Sequence, residues 1–207
     1  MQLLRVLCDG FIWRCAACCV LSYTDNLNMY EYFNPPSAWD SYLCTIPPSF
    51  TSTAFWSSHE LEKASVLDPK IQELTEKKKR QIALDYIAYI PSLTKAHPRL
   101  FPATFFTFQN FVWASAACDS RSWAIDASAN GGTGAIIMVP AVDLLNHHPS
   151  SNRASYDVTA RKFSIISGPN GVSEGSEVLL SYGAKCNAQL LATYGFALQQ
   201  NSVACEH

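Results

Sequence analysis

Val139-Pro-Ala-Val-Asp143-Leu-Leu-Asn146-His147, together with the later Ser181-Tyr182-Gly183, is the stretch on which the reading of this chain turns. The Asn-His pair stands at the end of a short apolar run, Ala135-Ile-Ile-Met-Val139, and Tyr182 follows a second one, Val178-Leu-Leu180. Short apolar runs bounded by turn residues read as buried strands. Rigid strands are also a means of presenting a few polar groups to a ligand. Tyr194-Gly195-Phe196 lies just beyond. Asn187 caps a short helix through Leu190, Leu191 and Tyr194, and Gly195 supplies the positive φ that ends it.

Working outward, the hydrophobic period is 2 from Ala135 on, with strands expected at 135–139, 155–160, 162–167 and 176–181. Gly168-Pro-Asn-Gly171 and Glu174-Gly175 supply turns between them. Upstream the period is near 3.6. Ser57 and Glu60 form a capping box that starts one helix. Ile71, Leu74, Ile82 and Tyr86 share a face of a second, over Lys70–Ile90, which Pro91, Pro98 and Pro102 break. Glu76-Lys-Lys-Lys-Arg80 lies on it as a solvated surface stretch. Thr107 caps a third helix carrying Phe108, Phe111, Val112 and Ser115 on one face. Residues 1–24 read as an apolar core helix, and Thr24–Ser37 as a polar loop. Arg5, Asp9 and Arg14 argue against a membrane span there, since a charge near the middle of a span costs ~2.5 kcal/mol or more. Helices first and strands after is an α+β order.

The composition narrows the function classes. At 207 residues, 48% of them hydrophobic, the chain can bury a sizeable core. Fifteen Lys and Arg against seventeen Asp and Glu give no positive field for holding a phosphate backbone or an acidic membrane, so neither nucleic acid nor membrane is an expected partner. The eight cysteines are unevenly spread and follow no secretory signature, so reduced thiols are expected. Cys15-Ala-Ala-Cys18 has no second pair at a matching distance, and His147-His148 would point apart on a strand. No metal site is expected.

The motifs resemble those of SET methyltransferases. More narrowly they resemble the branch that includes the Rubisco large-subunit lysine methyltransferase and the actin-histidine methyltransferase. The likeness rests on Val-Pro-Ala-Val-Asp-Leu-Leu-Asn146-His147 and on the block from Ser181 to Phe196, with Trp39-Asp-Ser-Tyr42-Leu43 and Ile46-Pro-Pro48 like the opening of that branch's helical insertion. It implies a partial SET fold, α+β, with a helical insertion followed by a short-stranded β core and a terminal short helix. Its segments would be an atypical N-terminal helix and loop (1–38), the insertion (39–112), the C-terminal half of the SET core (113–201) and a tail (202–207).

The resemblance also implies S-adenosylmethionine as cofactor and a lysine side chain of a protein as methyl acceptor. Tyr182 would be the catalytic hydroxyl. Arg121, Asn146, His147, Tyr194 and Phe196 would hold the cofactor, and Arg121, Asp143 and Tyr182 would face the substrate. The histidine-methylating members place Trp and Asn where this chain has Val142 and Trp123, which favours lysine. Proteins of the branch open with a glycine-bearing cofactor loop, absent here before Trp39, and continue into a helical substrate-binding domain past the position of Asn201. The chain therefore reads either as a fragment or alternative product of a longer enzyme or as one in which residues 1–38 replace the missing strands, monomeric and cytoplasmic or nuclear. A non-catalytic interaction module of the same fold, and a protein-histidine methyltransferase, remain alternatives.

Overall fold

Ser57 shows how directly local chemistry sets the helical part. Its hydroxyl accepts the Glu60 amide at 3.3 Å while the Glu60 carboxylate accepts the Ser57 amide at 2.7 Å, so the capping box opens helix α1 (Ser58–Leu67) as expected. The hydrogen bonds also hold the Glu60 carboxyl below its usual range. Asp68 ends α1 and starts α2 (Pro69–Ala96), accepting the Lys70 amide at 2.9 Å with Pro69 at the first helical position. This computed structural model describes residues 42, 44–99, 101–125, 135–157, 160, 162–168 and 171–205. The expected helix over 1–24 and loop over 24–37 lie outside the described residues.

Two compact units divide the chain. The first comprises residues 1–120, 187–201 and 205–207, and the second 121–186 and 202–204. In the first unit a short 3-10 helix (Thr53–Phe55), α1, α2, most of α3 (Phe108–Arg121) and α4 (Asn187–Tyr194) surround Ile90, Phe111 and Leu190, all fully buried. Tyr86 of α2 meets Phe108 and Phe111 of α3 edge-on at 5.3 and 5.6 Å. The buried hydroxyls of Thr53 and Thr75 share a bond of 2.6 Å.

Three expectations need correction here. Helix α2 does not break at Pro91 but runs on to Ala96. Pro91 removes only the bond to the Ile87 carbonyl, which lies on a water-facing side of the helix, and the turn beyond gains the burial of Leu93. The basic run is not wholly solvated either. Lys78 reaches Asp119 and the Ala192 carbonyl, each at 3.0 Å, and Lys79 reaches the Trp56 carbonyl at 2.8 Å, so two lysines tie α2 to its neighbours. Asn187, finally, does not cap α4. Its amide donates to the Leu198 carbonyl at 2.9 Å and its oxygen accepts from Leu198 and Asn201, which fastens the segment after the helix. Gly195 does end α4, with φ of 80° and its amide on the Leu190 and Leu191 carbonyls.

Among the described residues the second unit holds two antiparallel pairs. Strand β1 (Ser122–Ile125), which is not among the strands expected from the sequence, pairs with β2 (Ala135–Met138), with Ser122 opposite Met138. Strand β3 (His147–Asp157) pairs with β4 (Lys162–Ile166), with Arg153 opposite Ile166. Trp123 of β1 and Phe163 of β4 meet at 5.6 Å.

The expected strand at 155–160 therefore begins eight residues earlier, and the one at 176–181 is not a strand. Only Leu180 bridges, to His147 and to Asn152. The Leu179 carbonyl is instead taken by the side chains of Ser151 and Asn152, at 2.9 and 2.8 Å, where a ladder would have used main-chain amides. Cys44 and Cys118 keep their thiols, but Cys186 and Cys205 each take part in a disulfide, against the expectation of reduced cysteines. Sequence spacing carries no information about which sulfurs approach in space.

Candidate active site

The Asn-His pair is delivered by a turn rather than by the end of β2. After Pro140, Ala141 takes a φ of 72°, uncommon for a residue with a Cβ, and the amides of Val142 and Asp143 both donate to the Val139 carbonyl. A 3-10 turn over Val142–Leu144 follows, and β3 then begins at His147. This route buries the Asp143 side chain completely and brings it to Arg121, the residue where α3 passes into β1, at 3.0 Å. The same guanidinium nitrogen also contacts the Asp143 carbonyl at 3.4 Å. The Arg121 side chain is only 14% exposed, and its Nε is buried with no acceptor among the described residues.

Tyr182 arrives from the other direction. The Leu180 amide donates to the Asn146 carbonyl and the Ser181 amide to the Asn152 carbonyl, each at 2.8 Å, so the segment before Tyr182 is laid against the start of β3. The Tyr182 hydroxyl then donates to the Leu145 carbonyl at 2.6 Å, and the Tyr182 amide donates to Nδ1 of His147 at 3.0 Å. The imidazole stacks on the phenol at 4.9 Å, and Trp123 meets the same ring edge-on at 6.5 Å.

Burial pushes the Tyr182 hydroxyl above its ordinary value of 10.0; Arg121 opposes that shift and Asp143 adds to it. The phenol therefore stays neutral near pH 7. Its hydroxyl hydrogen is directed at the Leu145 carbonyl. Burial likewise lowers the pKa of His147, and the positive charges of His148 and Lys185 push the same way, against the contact with the Leu180 carbonyl.

Five of the seven residues singled out from the sequence, Arg121, Asp143, Asn146, His147 and Tyr182, thus belong to one unit, in which Arg121 contacts Asp143, and His147, next to Asn146, contacts Tyr182. Tyr194 and Phe196 belong to the other, where their rings lie 6.0 Å apart. Two participants escaped the sequence reading. The Leu145 carbonyl has no side-chain signature at all. Glu177, whose carboxylate accepts the Asn146 amide at 2.6 Å, sits in a stretch that reads only as a turn and strand start. Trp123, which the resemblance connects with substrate choice, packs on Tyr182 as well.

What this arrangement can do chemically is limited and specific. No group in it is a strong base: the phenol is neutral, and Asp143 is engaged by Arg121. It offers fixed oxygen acceptors, an oriented amide and a guanidinium. Such a set suits the alignment of a cationic ligand with a carboxylate tail better than proton abstraction.

No family model matches the chain. Among curated proteins it is 26% identical over 175 residues to an Arabidopsis thaliana chloroplastic fructose-bisphosphate aldolase-lysine N-methyltransferase, covering 80% of this chain and 35% of that protein. It is 27% identical over 170 residues to the Pisum sativum Rubisco large-subunit N-methyltransferase, covering 77% and 33%. To a Danio rerio actin-histidine N-methyltransferase it is 24% identical, covering 83% and 28%. The chain thus spans about a third of the length of these relatives.

Among solved structures it matches Rubisco LSMT bound to AdoMet with a TM-score of 0.65 at 21% identity, over 96% of this chain and 42% of that one. The SET domain of LSMT bound to MeLysine and AdoHcy matches with a TM-score of 0.66 at 20% identity, over 92% and 41%. In fold, with mixed helices and short strands, the chain matches part of the SET-domain fold seen in Rubisco LSMT.

Proposed function

We propose that this chain is part of an S-adenosylmethionine-dependent protein-lysine N-methyltransferase and carries the methyl-transfer end of its site. The observation that supports this best is the Tyr182 hydroxyl, neutral, half-buried and bonded to the Leu145 carbonyl, immediately beside the Asn146-His147 pair. The named relatives, two lysine methyltransferases and one histidine methyltransferase, support the reaction class. Val142 and Trp123 favour lysine over histidine as acceptor.

The residues present fit such a cofactor. The buried Nε of Arg121 lacks an acceptor, which suits a carboxylate. Asn146 gives an amide hydrogen to Glu177, and its side-chain oxygen is an acceptor suited to an ammonium. When bound, S-adenosylmethionine supplies the methyl group on an already activated sulfonium. The protein therefore contributes alignment and a dry environment rather than acid or base power. A lysine with a free pKa of ~10.4 reacts as the neutral amine, which burial beside Trp123, His147 and Tyr182 favours by disfavouring the ammonium. The Tyr182 oxygen, its own proton held by Leu145, can accept weak C–H contacts from the transferring methyl, each worth under ~1 kcal/mol.

Titration calorimetry with S-adenosylmethionine and its demethylated product, followed by transfer of labelled methyl to lysine-containing proteins, tests the reading. Saturable heat with both ligands and label on lysine are expected. No heat at millimolar ligand would sink it for this chain.

A further inference from the structure

We propose that His147 is a positioning residue for Tyr182, setting the place of the phenol through a main-chain bond rather than acting only on the cofactor. This rests on the reading of Tyr182 as the methyl-transfer hydroxyl. Three contacts converge on His147, two of them on its imidazole. Nδ1 accepts the Tyr182 amide at 3.0 Å, the ring lies on the phenol at 4.9 Å and 28°, and the His147 main chain bridges Leu180, two residues before Tyr182. Tyr182 is therefore held by His147 at its amide and on its face, and by Leu145 at its hydroxyl.

The second contact of Nδ1 makes this arrangement conditional. The Leu180 carbonyl lies 3.3 Å from the same nitrogen. One nitrogen cannot accept from the Tyr182 amide and donate to Leu180 at once. In the neutral ring carrying its hydrogen on Nε2, Nδ1 accepts from Tyr182 and the contact with Leu180 is no hydrogen bond. In the charged ring Nδ1 carries a hydrogen, turns to Leu180, and meets the Tyr182 amide donor to donor. Protonation thus exchanges the Tyr182 anchor for Leu180.

The titratable groups around the ring are His148, the next residue on β3, Lys185 on the segment after Tyr182, and the Tyr182 phenol itself. The first two are cationic when protonated and, with burial, hold the imidazole neutral to a pH below its ordinary 6.5.

The first test needs no activity. In the labelled 207-residue chain, nitrogen NMR of His147 should show an unprotonated Nδ1 and a protonated Nε2 at neutral pH. The Tyr182 amide resonance should shift on acidification with the same midpoint as the His147 ring, below 6.5. A neutral ring protonated on Nδ1, or a Tyr182 amide that ignores the His147 titration, overturns the proposal.

The second test compares His147→Ala with His147→Asn, whose side-chain oxygen can accept the same amide but does not titrate. The readout is labelled methyl transfer from S-adenosylmethionine to free L-lysine. His147→Ala should lower kcat about tenfold or more, the scale of one lost hydrogen bond, with little change in cofactor KM. His147→Asn should recover most of that and lose the acidic fall of the pH–rate profile. Equal losses in both variants, or losses confined to cofactor KM, also overturn it. If the Tyr182 amide tracks His147 but the wild-type chain transfers no methyl, His147 still positions Tyr182 and the proposed reaction fails instead.

Discussion

At the scale of single residues, the site is a set of short bonds whose removal has separable consequences. Tyr182→Phe deletes the bond to Leu145 and leaves that carbonyl to water or unpaired, so a stability loss of ~0.5–1.5 kcal/mol is expected in urea unfolding. Methyl transfer should fall at least tenfold with cofactor binding intact, since the phenol is read as touching the methyl and not the rest of the cofactor. Asp143→Asn leaves the Arg121 guanidinium buried without its counter-charge. A much larger loss, on the order of 3–5 kcal/mol, is expected from the same measurement. The two titrating rings set opposite pH limits. His147 has a lowered pKa in the folded state, so its contribution to stability is present above 6.5 and is lost as pH falls through the folded value. Tyr182 has a raised pKa, so its contribution is present below 10.0 and is lost as pH rises through the folded value. Urea midpoints measured across pH should therefore fall at both ends. His147→Asn should flatten the acidic limb and Tyr182→Phe the alkaline one.

At the scale of elements, the starts of α1 and α3 and the end of α4 were legible, whereas the end of α2 and the role of Asn187 at the start of α4 were not. Ser57 and Glu60 announce α1 because a cap is chemistry within four residues, and Ser57→Ala should cost ~1 kcal/mol, read as a lowered thermal midpoint. Pro91 misleads because the cost of a proline is local, whereas the gain from burying Leu93 against the rest of the unit is not written in the sequence around it. The same division holds in the site. The motif residues Asp143, Asn146, His147 and Tyr182 could be picked out by type and spacing. Their partners Leu145, Glu177 and Leu180 could not, because main-chain carbonyls and a carboxylate 31 residues away leave no pattern. Gly195 is the element-scale residue with least freedom. A Cβ there would meet Thr51 Oγ1 and come within 2.6 Å of the Ser52 amide nitrogen, with φ already at 80°. Gly195→Ala should destabilise by ~2 kcal/mol or more, with the greatest loss of amide-exchange protection in α4 and around Thr51.

At the scale of the whole molecule, the order of elements, helices and then strands, was readable from the change of period at Ala135, and the SET resemblance supplied the architecture that periodicity alone leaves open. The division into units was not readable. It cuts the chain at Arg121 and returns at Asn187, so that α4 packs with α2 and the 3-10 helix although 66 residues of the second unit, 121 to 186, separate it from the first stretch. Lys78 on the Ala192 carbonyl and Thr51 on the Gly195 carbonyl are the bonds that close this gap, at 3.0 and 3.2 Å.

That return of the chain has a consequence for how the protein is made. A ribosome that has finished α2 and α3 still holds a unit without Leu190, so the apolar surface meant for α4 stays open until synthesis has passed the second unit. The half begun earliest is completed late, and a nascent chain stalled at Cys186 should engage holding chaperones that release it once Tyr194 has emerged.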